Sequence, residues 1–188
     1  MYRTKERNFK ENKISLLLKS PANLFHSQDL ALLWNINNRN TLYTLIKRYI
    51  QKGILIRIQK GFYAKVPLEQ INAAQLGLSA LHSFAYLSTE SILAPAGIIS
   101  QSIPWITFVS NQSKKFKIGN QFYLSRQMKE EFLFNEIGII EKDGIKQATL
   151  ERATADLLYY CSTYHLDAPR LINWPKVKEI QKNIGFKS

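Results

Sequence analysis

Residues 27–66 read SQDLALLWNINNRNTLYTLIKRYIQKGILIRIQKGFYAKV, and almost every residue type in that stretch carries a structural instruction. Leu30, Leu32, Leu33 and Trp34 supply the apolar face of a short helix, with Ser27 placed to cap its first N–H groups and Asp29 near its positive end. Ile36-Asn37-Asn38 is a turn, in which Asn37 or Asn38 can cap the next helix as readily as meet a base. That second helix buries Leu42, Leu45, Ile46, Tyr49 and Ile50 at helical spacing and ends where Gly53 can take a left-handed conformation. Its other face carries Arg39, Asn40, Thr41, Tyr43, Thr44, Lys47 and Arg48. Ile54 to Arg57 and Phe62 to Val66 alternate as strands joined through Gln59-Lys60-Gly61, which presents Arg57, Gln59 and Lys60 near the tip of a tight ribbon.

Helix, turn, basic helix and ribbon in that order outline a winged helix-turn-helix, a module whose second helix enters the DNA major groove. The charge is distributed accordingly. Residues 1–66 hold 13 lysines and arginines against 3 acidic residues, so +10 of the total +12 lies in the segment that reads as a DNA binder. Neutralising phosphates and releasing their counterions needs such an excess. A solvated basic surface and an anionic membrane are the competing explanations. The membrane is disfavoured because the charges sit on a helix-turn-helix pattern instead of one long amphipathic helix.

At 188 residues with 45% hydrophobic composition, the chain can bury one large core or two small ones. The single cysteine, Cys161, precludes an internal disulfide and points to a reducing compartment. Met1-Tyr2-Arg3-Thr4-Lys5 leads into polar sequence, and no run is apolar enough to span a bilayer, so the expectation is a cytoplasmic protein without a membrane partner.

From Pro67 the character changes, which predicts domains over 1–66 and 67–188. Ile71 to Leu81 reads as a helix, Ser88-Thr89-Glu90 starts a shorter one, and Leu150 to Tyr160 and Lys176 to Ile184 are helical. Leu150, Ala153, Leu157 and Leu158 mark one apolar side of the third of these. Strands are expected at Ile103 to Ser110, Lys115 to Ile118, Gln121 to Ser125, Ile137 to Glu141 and Lys146 to Thr149, with turns at Ser110-Asn111-Gln112, Gly119-Asn120 and Asp143-Gly144. The fold class is α+β: an N-terminal winged helix-turn-helix followed by a small α+β domain.

No catalytic constellation stands out. His26, His82 and His165 are far apart, no metal-ligand spacing or phosphate-binding loop occurs, and Glu130-Glu131 and Glu141 with Asp143 read as solvated carboxylates. The one Glu-x-Lys triplet, Glu11-Asn12-Lys13, falls in the first predicted helix and not on a nuclease-type strand. His26 is expected to order the loop before Ser27, and Cys161 to fill core space. The reading is a binding protein and not an enzyme, with no cofactor and no metal. Arg39 and Asn40 suit base edges, Thr44 a thymine methyl or phosphate, and Lys47, Arg48 and Lys60 the DNA backbone.

Three blocks carry a family resemblance: Gly53 to Ala64, with its Gly61-Phe62-Tyr63-Ala64 ending; Ala85 to Leu93 followed by Gly97-Ile98-Ile99; and Ala148 to Ala153 running into Ala155 to Tyr159. In this order the chain resembles the AbiEi-type antitoxins. The resemblance implies a DNA-binding autorepressor that pairs functionally with a nucleotidyltransferase-like toxin in a type IV toxin-antitoxin system, the winged helix acting on double-stranded operator DNA and the second domain opposing the toxin. The alternative is a plain winged-helix regulator, or a mobile-element DNA binder, with a ligand- or protein-binding second domain. Oligomeric state, operator sequence and toxin identity are left open.

Overall fold

The structure, a computed structural model, describes residues 12–101 and 103–186. It is α+β, with eight α-helices and two β-sheets among the described residues. The chain divides into two compact units, Met1–Ile71 and Asn72–Ser188.

The first unit runs α1 (Lys13–Lys19), β1 (Leu24–His26), α2 (Ser27–Trp34), α3 (Arg39–Gln51), β2 (Ile56–Gln59) and β3 (Phe62–Ala64). Its antiparallel sheet has the order β1-β3-β2, so the last strand lies in the middle. Asn12 and Asn38 cap α1 and α3 through their side-chain oxygens, and Gly53 follows α3 at φ +69°, where a left-handed residue ends a helix. Leu42, Leu45, Ile46 and Tyr49 form the buried stripe of α3 and Ile50 borders it. Each such side chain contributes roughly 1.5–3 kcal/mol by leaving water. Trp34 meets Tyr49 edge-on at 5.4 Å and donates its indole N–H to the Lys13 carbonyl, which fastens α1 to the α2–α3 pair.

Several local expectations are corrected. Helix α2 starts at Ser27 and not after it: His26 holds the cap position, and its backbone N–H donates to Asp29 at 2.7 Å. His26 belongs to strand β1 and stacks on Phe62 at 4.6 Å instead of ordering a loop. Leu32 is 81% exposed, because the helix turns it away from the side on which Leu30 and Trp34 are buried. The first ribbon strand lies two residues later than the apolar run implied. Leu55 is fully buried ahead of it, and a bulge between Arg57 and Gln59 resets the register.

The second unit contains α4 (Ala73–Leu81), β4 (Ala85–Leu87), α5 (Glu90–Leu93), β5 (Trp105–Ser110), β6 (Lys114–Ile118), β7 (Gln121–Gln127), α6 (Glu130–Leu133), β8 (Ile139–Lys142), β9 (Ile145–Ala148), α7 (Leu150–Tyr160) and α8 (Trp174–Ile184). The six-stranded mixed sheet has the order β6-β7-β5-β4-β9-β8. Ile118 pairs with Gln121 across the Gly119-Asn120 turn. Lys142 pairs with Ile145 across Asp143-Gly144, whose φ values of +52° and +72° suit a tight hairpin of this hand. One face packs on α4, where a Cβ on Gly77 would stand 2.5 Å from the Tyr123 ring, so the helix needs a glycine to approach the sheet.

The other face carries Tyr86 and Val109 in a core shared with α7 and α8. Helix α7 is not one-sided: Arg152 to Leu157 are all buried, while Leu158 is only partly so. Arg152 is fully buried and donates Nε–H to Asp156 at 2.8 Å, Nη1–H to the Asn135 and Ile137 carbonyls, and Nη2–H to the Tyr86 hydroxyl. Tyr86 and Ser88 in turn donate to Asp156 Oδ2 at 3.0 and 2.7 Å. Burial pushes the Asp156 carboxyl upward, and Arg152 with the two hydroxyl donors pulls it back. Cys161 is exposed at the end of α7 and does not fill the core. Glu130, Glu131, Glu141 and Asp143 are exposed.

Candidate nucleic-acid interface

Helix α3 is amphipathic because its stripe faces the core, and this turns every polar residue named above outward: Arg39, Asn40, Thr41, Tyr43, Thr44, Lys47 and Arg48 are all exposed. Two ridges result from the four-residue spacing, Arg39-Tyr43-Lys47 and Asn40-Thr44-Arg48. At the helix start Asn38 Oδ1 accepts from the Thr41 backbone N–H at 3.0 Å and from its hydroxyl at 3.3 Å. Asn38 is therefore the cap, and Thr41 belongs to the capping geometry. The Arg39 guanidinium lies 5.7 Å from the centre of the Tyr43 ring, which holds it along the ridge.

The ribbon supplies the other side. Arg57, Gln59 and Lys60 are exposed, with Arg57 paired to Tyr63 and Gln59 to Phe62, so the turn proper is Lys60-Gly61 and Gln59 belongs to the strand. Gly61, at φ +79°, accepts the Ser27 N–H at 2.9 Å, which ties the turn to the first residue of α2. Ser27 is thus an anchor for the ribbon. The Tyr43 phenol is held below its usual range by hydrogen bonds with Ser27 and Arg39, and the charges of Arg39 and Lys60 add to the effect. Ribbon tip, α2 start and middle of α3 therefore meet around Tyr43.

Between α3 and the ribbon lies a groove of about 420 Å³ lined by Tyr43, Ile46, Lys47, Ile50, Gln51, Arg57 and Tyr63. Its floor is apolar, Lys47 and Arg57 supply its charge, and no acidic residue lines it. Of these residues Ile46 and Ile50 read in the sequence only as part of the buried stripe of α3, and Tyr63 only as part of a strand. The groove forms where α3 and the ribbon come together, and no local sequence pattern announces a space between two elements.

Of the first helix's Glu-x-Lys triplet, Glu11 lies outside the described residues, as do Arg3, Lys5, Arg7 and Lys10, and Lys13 donates to the Trp34 carbonyl. Among the described residues no group of three His, Cys, Asp or Glu side chains could hold a metal, and no helix is long and apolar enough to cross a membrane. No family model matches the chain, and no curated protein matches it.

Proposed function

We propose that the first unit is a winged helix-turn-helix that binds duplex DNA, with α3 as the reading helix and the β2–β3 ribbon as the wing. The observation that carries this reading is the groove-flanked surface on which α3 and the ribbon together expose Arg39, Lys47, Arg48, Arg57 and Lys60 with no acidic residue among them. An α-helix with one solvated polar face fits the width of the major groove. Arg39 and Asn40, in the first turn of α3, take the base edges, and Thr44 takes a thymine methyl or a phosphate. Lys47, Arg48 and the ribbon residues Arg57, Gln59 and Lys60 take the flanking backbone.

The function we infer for the whole chain is that of a transcriptional autorepressor and antitoxin of a type IV toxin-antitoxin system, opposing a nucleotidyltransferase-like toxin in the cytoplasm. The resemblance to AbiEi-type antitoxins supports it. A feature of the second unit adds to that support: the two later blocks of the resemblance meet in one buried network, where Tyr86 and Ser88 of the first bond Asp156 of the second and Arg152 bonds Tyr86.

The test uses the full chain carrying Arg39→Ala, Lys47→Ala and Lys60→Ala beside the unaltered chain. Both are expressed with the gene's own promoter driving a reporter and with any neighbouring nucleotidyltransferase gene under separate control. The expected result is lost repression with retained rescue of growth. Unchanged repression would remove α3 as the reading helix. Failure of the unaltered chain to rescue, or the lack of such a neighbouring gene, would favour the plain winged-helix regulator.

A further inference from the structure

The groove between α3 and the ribbon has an apolar bed that contacts to DNA do not use. Ile46 and Ile50 stand one helical turn apart, as do Tyr43 and Lys47 on the neighbouring ridge, and Arg57 lines the ribbon side with its cross-strand partner Tyr63. Ile46 and Tyr63 are 2% and 4% exposed and close the bottom. The Tyr43 ring, 39% exposed, and the half-buried Ile50 lie open to a molecule that enters. The Tyr43 hydroxyl is engaged by Ser27 and Arg39, so what this residue gives the groove is its ring. Phosphates and base edges are met chiefly by hydrogen-bonding groups, and an apolar bed offers them none.

The charge beside that bed is of one sign. No acidic residue lines the groove, and among the described residues neither Lys47 nor Arg57 is paired with a carboxylate. Two solvated cations hold a bare anion weakly, because water screens them. A neutral apolar molecule would leave both cations unused. A ligand with an apolar body and one negative group meets both parts of the lining, as small-molecule sites commonly do. The volume of about 420 Å³ sits near the lower end of the range for such sites, about 300–1,000 Å³, which suits a body of one or two fused rings.

We propose that this groove binds a small aromatic carboxylate, and that the ligand and duplex DNA exclude one another. The rings rest on Tyr43 and Ile50 above Ile46, and the carboxylate accepts from the Lys47 ammonium and the Arg57 guanidinium. The exclusion rests on the reading of α3 and the ribbon as a DNA-binding surface, because Lys47 and Arg57 are two of the cations assigned there to the DNA backbone. A ligand that holds them takes two phosphate contacts from the duplex, and the duplex weakens the ligand by the same factor. The carboxylate is then an inducer, releasing the chain from its operator.

The experiment titrates the full-length protein with 1-naphthoate by calorimetry, first without DNA. Acetate, which has the charge without the body, and 1-naphthylmethylammonium, which has the body with the opposite charge, serve as comparators. One-site binding of naphthoate alone is expected. Lys47→Ala and Arg57→Ala should each weaken it by about 10-fold, and Lys52→Ala, an exposed cation of α3 outside the groove, should leave it unchanged. Tyr43→Ala should weaken it while Tyr43→Phe, which keeps the ring, retains it. In the second stage a labelled duplex carrying the gene's own promoter is followed by anisotropy. Naphthoate at ten times its measured Kd should raise the duplex Kd by about 10-fold. No calorimetric binding, equal binding of the ammonium, or full affinity in both Lys47→Ala and Arg57→Ala would overturn the site. Naphthoate binding that leaves the duplex Kd unchanged would overturn the exclusion. Failure of the unliganded chain to bind duplex would refute the DNA-binding reading and the exclusion with it, a result on which the calorimetry does not depend.

Discussion

In the first unit Arg39, Arg48 and Arg57 stand in water on α3 and β2, whereas in the second Arg152 is fully buried, with Asp156 and the carbonyls of two loop residues taking its N–H groups. The same side chain does opposite work in the two places. An exposed guanidinium contributes little to folding and is free to meet a phosphate or a base edge. A buried one has been desolvated at considerable cost, and the return is a fixed arrangement of α7, β4 and the chain leading into β8. Even Gly138 serves this arrangement: at φ +73°, a Cβ there would stand 2.7 Å from Arg152 Cβ. Charge on the first unit is left in water, where the proposed function would use it for a partner, and the Arg152–Asp156 charge inside the second is tied into the fold.

The largest effect expected from this contrast is on stability. Asp156→Ala leaves the Arg152 charge buried without its counter-ion and should cost about 3–5 kcal/mol, read from chemical denaturation. Arg48→Ala on the exposed face of α3 should stay within about 0.5 kcal/mol on the same measurement. Comparable losses at the two sites would erase the distinction.

Alkali probes the buried side of the contrast in another way. Burial pushes the phenols of Tyr86 and Tyr160 far above their usual range and that of Tyr123 up to about 12. An unfolded chain releases these protons near pH 10 while the folded chain keeps them, so their contribution is complete below pH 10 and falls as pH rises from there towards the folded-state values. Urea midpoints should therefore decline above pH 10, and Tyr123→Phe should flatten the decline. A midpoint flat to pH 12 would contradict the burial of these groups.

On the exposed side, Arg39→Ala or Asn40→Ala should reduce discrimination between a cognate duplex and a single-base variant by about 1–3 kcal/mol, while Lys60→Ala weakens both duplexes alike. A competition assay with the paired duplexes decides this. Equal losses on every sequence for the Arg39 and Lys60 variants would take base reading away from α3.

Legibility in the sequence followed the same divide. Helix α3 was readable residue by residue because a single buried stripe forces its polar residues outward, and the turn glycines and Asp143-Gly144 announced the hairpins. Strands β1 and β4 escaped notice, since three residues such as Leu24–His26 or Ala85–Leu87 are too few to show alternation. The buried network escaped for a different reason. Arg152 and Asp156 at a four-residue spacing look like any solvated helix pair, and only the tertiary position of Tyr86 and Ser88 shows that they are inside. Glu90 was read as a helix start, and its buried carboxylate depends on Arg126, which lies 36 residues away in sequence.

The most direct test of the account is the salt dependence of duplex binding by the full chain, compared with the chain carrying Arg39→Ala, Lys47→Ala and Lys60→Ala. If α3 and the ribbon hold the DNA backbone, log affinity falls steeply with log salt, by about 0.9 for each phosphate neutralised, and the triple substitution, which removes the phosphate contacts of Lys47 and Lys60, flattens that slope by about two. A slope near zero in the unaltered chain, or one that the three substitutions leave untouched, would contradict it.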